Sequence, residues 1–390
     1  MNHEYGINTK LIHAGELSSL DALPLIPPIY QTSTFVMDEL LASGIKRGKY
    51  VYSRLSNPTL TALELKMATL EGGDAAVSFA SGMGAISAIV LALLRCGDHI
   101  VCDQVLYGST YQLLKNGASR LGFEVSFVDA SKPDNVDKAL RDNTKFVFFE
   151  TPANPTLKLV DIAKVAAIAT ENDVKTVVDN TFLTPYYQKP LELGADIVVH
   201  SATKYLNGHG DALGGILVCS YEDAVNIRKG VLRHVGAALS PFNAFLIMRG
   251  LRTLGVRMER HTTNATEIAS FLKAQKLVKR VLYPSFDRQI KRNPDLKTQM
   301  SGYGGMLAFE IHGGLEAAVA FLNNLKLCKV AVSLGDTSTL IEHPGLMTHS
   351  ALSKEEKDKL GITDNLVRVS VGLEDVEDIE ADIEQALHGV

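Results

Sequence analysis

The 390-residue chain contains only four cysteines, Cys96, Cys102, Cys219 and Cys328, and none is spaced as Cys-x-x-Cys or as a zinc-ligand pair. That usage excludes a disulfide-built scaffold and a cysteine metal centre, and suits free thiols in a reducing compartment, the cytoplasm. No metal ligand set is expected. Long apolar runs are missing as well: the longest, Ala85 to Leu94, is interrupted by Ser87 and falls short of a bilayer span. Positive charge is not in excess. Thirty-nine Lys and Arg stand against 44 Asp and Glu, a formal net charge of -5, which leaves no basic stripe for a nucleic-acid backbone. Neither nucleic acid nor membrane is expected as a partner. The opening Met1-Asn2-His3-Glu4-Tyr5 lacks the basic and apolar regions of a secretory signal, so export is not expected. Hydrophobic residues at 46% and charged residues at 21% are ordinary for a globular chain and exclude long disorder.

The length exceeds one usual core, so two domains are expected. From about Ala75 to Ser220, apolar runs rich in Val, Ile and Phe (Ala76–Phe79, His99–Cys102, Glu124–Val128, Phe146–Phe149, Thr176–Val178, Ile197–Val199) alternate with helical patterns. Strand then helix, repeated, predicts a mostly parallel sheet covered on both faces. Ligands of such sheets bind outside the carboxyl ends of the strands, where Asp179, Asn180, His200 and the loop after it fall. The spacing from Phe242 to about Ala274 predicts one long helix, with Ser240 as cap and Pro241 in its first turn. Beyond it the strand Met306–Ile311, a helix from Leu315 to Leu325, the strand Leu366–Val371 and a last helix capped by Asp375, with Ile379, Ile383 and Leu387 on one face, predict a smaller α/β domain. The division read from these patterns is an N-terminal arm over 1–60, a large domain over 61–256 and a small domain over 257–390. The arm, with Pro24, Pro27, Pro28, Gly44 and Gly48 and little periodicity, needs a partner surface.

Chemistry concentrates at His200-Ser201-Ala202-Thr203-Lys204, just past the strand Ile197–Val199. A lysine there, with hydroxyls one and three residues before it, has the parts to hold an aldehyde cofactor as a Schiff base. A pyridinium nitrogen needs a carboxylate, and Asp179 ends the apolar run Val177-Val178. The candidate cofactor is pyridoxal phosphate. Ser201-x-x-Lys204 also has the form of a serine acyl-enzyme motif, but the Ser-Asp-Asn and Lys-Thr-Gly elements that accompany it are absent. Ser81-Gly82-Met83-Gly84 stands after a strand and opens a helix, where backbone N–H groups and the helix dipole suit a phosphate. It lacks the third glycine of a dinucleotide fingerprint. Ser201 and Thr203 offer further hydroxyls. Tyr107 is placed to stack on a flat ring or move a proton, and Tyr52-Ser53-Arg54 joins an aromatic hydroxyl to a phosphate-suited guanidinium. An ordinary turn, a packing tyrosine and an exposed arginine would carry the same letters. Arg368, inside an apolar strand, needs an anion, which a substrate α-carboxylate or an internal acid would supply.

In order along nearly the whole chain, Tyr52-Ser53-Arg54-x-x-Asn57-Pro58-Thr59, Ser81-Gly82-Met83, Glu150-Thr151-Pro152-Ala153-Asn154-Pro155, Val178-Asp179-Asn180-Thr181, Ser201-Ala202-Thr203-Lys204-Tyr205, Ser333-Leu334-Gly335 and Arg368-Val369-Ser370-Val371-Gly372 resemble the cystathionine γ-synthase-like (Cys/Met metabolism) group of pyridoxal-phosphate enzymes. The resemblance implies the α/β fold type I architecture (aspartate aminotransferase-like), with a mostly parallel sheet in a large domain and a smaller C-terminal α/β domain. It also implies a homotetramer built from two active dimers, with Tyr52 and Arg54 reaching a neighbouring subunit's phosphate. By the same resemblance Lys204 is the Schiff-base lysine and proton shuttle, Asp179 the pyridinium partner and Tyr107 the stacking residue. Ser81, Gly82, Met83, Ser201 and Thr203 would hold the phosphate, and Arg368, Ser333 and Asn154 the substrate carboxylate.

Within the group, Gly208-His209-Gly210-Asp211, Gly236-Ala237-Ala238-Leu239-Ser240-Pro241, Ser333-Leu334-Gly335-Asp336 and Met347-Thr348-His349-Ser350 resemble the methionine γ-lyase branch. The implied reaction is γ-elimination on a small sulfur amino acid, methionine or homocysteine, to 2-oxobutanoate, ammonia and a thiol. Cystathionine γ-lyase, γ-synthase or O-acylhomoserine thiol-lyase chemistry is the alternative. Ser109 stands where that branch usually has cysteine, Arg233-His234 where it has Lys-Asp, and Ser338 where many members of the group have glutamate.

Overall fold

β-Branched and aromatic side chains fit a pleated, buried surface, and all six apolar runs become strands: β1 (Ala75–Phe79), β2 (His99–Asp103), β3 (Glu124–Val128), β4 (Thr144–Glu150), β5 (Lys175–Asp179) and β6 (Ile197–Ser201). The computed structural model describes residues 5–15, 24–36, 39–41, 44–47, 50–287, 290 and 293–390. It adds β7 (Gly215–Cys219), which is buried throughout. The sequence reading missed this strand, whose opening Gly214-Gly215 has the letters of a loop. Its glycine is required: a Cβ on Gly215 would stand 2.0 Å from the Ser81 carbonyl oxygen. Among the described residues the sheet order is β1-β7-β6-β5-β4-β2-β3. β7 runs antiparallel to β1 and β6, and the other pairs are parallel.

Both faces of this sheet are covered. Val77, Phe79, Ile100, Phe146 and Leu217 pack with Ile86 and Ile89 on one side, while Val101, Val147, Phe149 and Val178 meet Ile162 and Val165 on the other. Each such side chain contributes about 1.5–3 kcal/mol by leaving water, which fixes the strand ends relative to one another. The connecting helices are closed by local signals. Asn57 caps α1 (Pro58–Glu71) and Gly72 ends it in the left-handed region, while Ser81 caps α2 (Gly82–Leu93) by accepting from the Gly84 amide. α3 (Gly108–Leu121) follows β2 directly after Tyr107.

The single long helix expected from Phe242 to Ala274 is two, α4 (Pro241–Leu251) and α5 (Leu254–Ala274). Ser240 caps the first by accepting from the Asn243 amide, with Pro241 in its first turn. The break at Arg252-Thr253 has a side-chain cause: the buried Arg257 guanidinium donates to the Gly250 and Tyr205 carbonyls, each at 2.8 Å. Helical periodicity continued through the break because α5 buries the same kind of stripe.

A second sheet contains β8 (Val278–Leu282), β9 (Met306–Ile311), β10 (Lys329–Val330), β11 (Leu340–Glu342) and β12 (Leu366–Ser370), ordered β8-β9-β12-β11-β10. β8, β10 and β11 are additions to the reading, being short or carrying Lys and Arg. α6 (Gly314–Asn324) and α7 (Val376–Leu387) cover it, with Phe321, Ile379 and Ile383 buried against Phe309. Asp375 sits at the N-cap of α7, but its side chain makes no cap hydrogen bond and faces Arg260 at 3.2 Å. Of the expected arm, residues 1–4, 16–23, 37–38, 42–43 and 48–49 lie outside the described residues, Gly48 and Met1-Asn2-His3-Glu4 among them. Within the described part, Leu25, Val36 and Tyr52 are exposed. Among the described residues no helix is long and apolar enough to cross a membrane.

Candidate active site

The carboxyl ends of β4, β5 and β6, the start of α2 and the loop before β11 enclose a cavity of about 260 Å³. Lys204 enters it from the turn after β6, and its Nζ donates to Ser333 Oγ at 2.6 Å. Burial, reinforced by the charge of Arg368 and opposed by Glu342, brings the amine down to about 8. A lysine so placed reaches its neutral, nucleophilic form near physiological pH. Ser333 holds φ at +93°, a left-handed value a side chain adopts only under constraint. Its hydroxyl takes the Lys204 hydrogen bond while its carbonyl accepts from Arg368 Nη2 at 2.6 Å.

Asp179 closes β5 and opens onto the cavity. The Thr181 amide donates to its Oδ1 at 2.9 Å, and Thr181 Oγ1 accepts from the Ser201 amide, tying the ends of β5 and β6 together. Directly across the ladder from Asp179 stands Glu150, which accepts from the Tyr107 amide at 2.7 Å and the Asn154 amide at 3.4 Å. Two adjacent carboxyl groups in a dry site do not both ionise readily. Burial and the neighbouring Asp179 hold Glu150 well above the usual carboxylate range. Burial raises Asp179 too, but hydrogen bonds from Thr181 favour its anion. Both carboxyl groups are thus held toward their protonated forms, with Thr181 favouring the Asp179 anion.

The Ser81-Gly82 backbone lies hard against Ser201: a Cβ on Gly82 would come within 2.9 Å of the Ser201 Cβ. Glycine thus brings the amino end of α2 beside the Ser201 hydroxyl, a concave set of donors for an anion. Thr203 also lines the cavity, though its Oγ1 exchanges hydrogen bonds with the Gly214 backbone at 3.1 and 3.3 Å. Tyr107, half-exposed, and Met83 face the same space.

Arg368 is buried on β12. Its Nη1 pairs with Glu342 Oε1 at 2.9 Å and donates to Asn154 Oδ1 at 3.0 Å. The internal acid foreseen as one of its two possible anions is thus present, and the Nε–H faces no partner among the described residues.

Not every expected residue joins the cavity. His200 points away into the protein, with Nε2 2.5 Å from Glu71, which also accepts from Asn180 at 3.0 Å. Strand alternation explains this, since side chains of successive residues face opposite sides. Tyr52 and Arg54 lie elsewhere on the chain. Arg54 donates to the Arg233 carbonyl and stands 5.4 Å over the Tyr52 ring. Ser109, Arg233, His234 and Ser338 are exposed and do not line the cavity of a single chain. Sequence reading missed Glu150, Thr181, Glu342 and Thr348 as site residues. The signal for Glu150 and Thr181 was their position at strand carboxyl ends; Glu342 ends a three-residue strand that the patterning did not disclose, and Thr348 lies in the turn after it.

The donor set fits pyridoxal phosphate: an amine, a carboxylate whose anion Thr181 favours, an anion cradle that a Cβ at Gly82 would fill, and a buried guanidinium N–H unpartnered among the described residues. A family model for Cys/Met metabolism PLP-dependent enzymes matches residues 8–388. The chain belongs to this family. Members of the Cys/Met family similar to it include an L-methionine gamma-lyase from Fusobacterium nucleatum subsp. polymorphum, 50% identical over 99% of each chain. Another is a cystathionine gamma-lyase from Bacillus subtilis, 45% identical over 98% of this chain and 99% of that one. The solved metB structure from Corynebacterium glutamicum superposes with a TM-score of 0.93 at 40% identity, covering 98% of each chain. The architecture is the fold type I α/β fold expected, and the chain is a pyridoxal-phosphate-dependent enzyme of Cys/Met metabolism.

Proposed function

We propose that this enzyme catalyses γ-elimination on L-methionine, or on L-homocysteine, in which substrate and water yield 2-oxobutanoate, ammonia and a thiol. The observation that carries the reading is the Lys204 amine, brought down to about 8 and hydrogen-bonded to the strained Ser333 inside a cavity that also presents Asp179 and Arg368. Relatives named L-methionine gamma-lyase at about half identity across the whole length favour the same reading. Cystathionine cleavage is the second reading, favoured by the relative of that name.

Bound pyridoxal phosphate supplies an electron-withdrawing ring that accepts charge from the substrate's α-carbon. Lys204 would hold the cofactor and then move protons from Cα and Cβ, a task its lowered basicity suits. Asp179 would sit on the ring nitrogen, keeping it protonated because Thr181 favours the anion. Tyr107 would stack on the ring, and Ser81, Gly82, Met83, Ser201 and Thr203 would hold the phosphate. Arg368, Ser333 and Asn154 would fix the α-carboxylate. Departure of the γ-substituent as a thiol then needs one proton, for which Tyr107 and Lys204 are the candidates.

The reading extends to a homotetramer of two active dimers, in which Tyr52 and Arg54 of the arm over 1–60 serve a neighbour's phosphate. Their separation from the cavity of their own chain supports this. The large unit is taken as 61–256 and the small as 257–390. The free thiols of Cys96, Cys102, Cys219 and Cys328 support a cytoplasmic setting. Incubation of the holoenzyme with methionine and assay of 2-oxobutanoate and methanethiol tests the proposal; release of neither from methionine or homocysteine would refute it.

A further inference from the structure

Arg368 is charge-balanced before any substrate arrives. Its Nη1 is committed to Glu342 Oε1 at 2.9 Å and Asn154 Oδ1 at 3.0 Å, and Nη2 gives one hydrogen to the Ser333 carbonyl at 2.6 Å. What remains is the Nε–H, unpartnered among the described residues, and one of the two Nη2 hydrogens, Nε and Nη2 together forming one edge of the guanidinium. That edge has the spacing of a bidentate carboxylate contact. Resting on the reading of Arg368 as the carboxylate anchor, we propose that Glu342 takes up a proton when the substrate carboxylate docks on the Nε–Nη2 edge. Glu342 is then a positioning residue that makes carboxylate affinity depend on its own charge.

Glu342 and Arg368 are both essentially buried, at 0% and 3% side-chain exposure. A second carboxylate on the same guanidinium would leave the three groups with one net negative charge beside the buried Glu342, an arrangement that desolvation opposes. Glu342 Oε1 is occupied by Arg368 and by the Thr348 hydroxyl, at 2.7 Å, whereas Oε2 is buried and has no partner among the described residues. That oxygen is where a proton would sit. The charged and titratable groups facing Glu342 are few. Arg368 lies across the sheet, Lys204 beyond it, His343 next in the chain, and His349 behind Thr348, its Nδ1 3.1 Å from the Thr348 hydroxyl. Burial holds His349 down at about 4, so it is neutral at working pH and offers no compensating charge. Burial already lifts the Glu342 carboxyl above its ordinary value, against the pull of Arg368.

The test uses the holoenzyme and 4-(methylthio)butanoate, which keeps the methionine carboxylate and thioether but has no amine to react. Its inhibition constant is measured against pH for the wild type and for Glu342→Gln, whose neutral side chain preserves the acceptor to Arg368. The expected result is a wild-type constant that weakens about tenfold per pH unit above the Glu342 pKa, and a Glu342→Gln constant that is flat there and tighter at high pH. A merely structural role would make the variant weaker at every pH. Parallel profiles, or a variant that binds worse throughout, overturn the proposal. Independently of the variant's folding, calorimetry of the same ligand with wild-type enzyme in buffers of different ionisation heat should show uptake approaching one proton, and none would also overturn it. Arg368→Lys separates the layers: an unchanged inhibition constant in that variant removes the carboxylate anchor itself.

Discussion

Gly82→Ala and Gly84→Ala, two residues apart in one helical turn, should have unequal consequences. A Cβ at Gly82 would stand 2.9 Å from Ser201 Cβ, 3.0 Å from its Oγ and 3.1 Å from its Cα, whereas one at Gly84 would meet nothing nearer than Ala237 Cβ at 3.4 Å. Ser201 belongs to β6 and is held by the Thr181 hydroxyl, so the helix start, rather than the strand, must give way. Such overpacking costs about 1–3 kcal/mol, and because it displaces the donors of the anion cradle it should appear as cofactor Kd raised roughly 5- to 150-fold. At Gly84 the gain in helix propensity, up to about 1 kcal/mol, offsets the tighter contact, and Kd should stay within about twofold of wild type. The assay is titration of the cofactor-free protein with pyridoxal phosphate, followed by the visible absorbance of the bound form, with thermal unfolding of the cofactor-free proteins as control. Equal Kd values for the two variants would refute the cradle.

Lys204→Ala should remove the covalently held cofactor's visible absorbance and all elimination; unchanged turnover would sink the assignment. In the cofactor-free protein the Lys204 amine is depressed to about 8, so the rate of cofactor attachment should rise as pH climbs through that value and then level off, and a rise delayed to the ordinary lysine range would contradict the site's description. Arg54→Ala should weaken cofactor retention by about tenfold, an effect in the range of a lost charge-assisted contact, with normal retention counting against an intersubunit phosphate contact. Glu150→Ala, which withdraws the acceptor of the Tyr107 and Asn154 amides, should lower kcat by roughly tenfold or more, and Glu150→Gln should recover most of it; equal defects would show that the acceptor is not what matters.

Much of this enzyme was legible before its structure. Runs such as Phe146–Phe149 and Ile197–Val199 are buried on both faces, and continuous β-branched and aromatic stretches leave little else for the chain to form. Lys204, Asp179 and Ser81-Gly82 were visible because strand carboxyl ends are where such a sheet offers its ligands room. What stayed hidden depends on contacts between distant segments. β7 has no polar alternation to announce it and needs Gly215 for the approach of Ser81. The break between α4 and α5 follows from Arg257 reaching the Gly250 carbonyl. Glu342, in a three-residue strand, matters only because β12 brings Arg368 beside it. His200 sat at the right strand end, but on the face turned toward Glu71.

The most direct test of the central claim is product analysis of the purified, cofactor-loaded enzyme with L-methionine, L-homocysteine and L-cystathionine side by side. The expected products are 2-oxobutanoate together with methanethiol from methionine, or with hydrogen sulfide from homocysteine, each lost in Lys204→Ala. Cleavage of cystathionine alone would contradict the preferred substrate, and the absence of any 2-oxobutanoate would contradict γ-elimination itself.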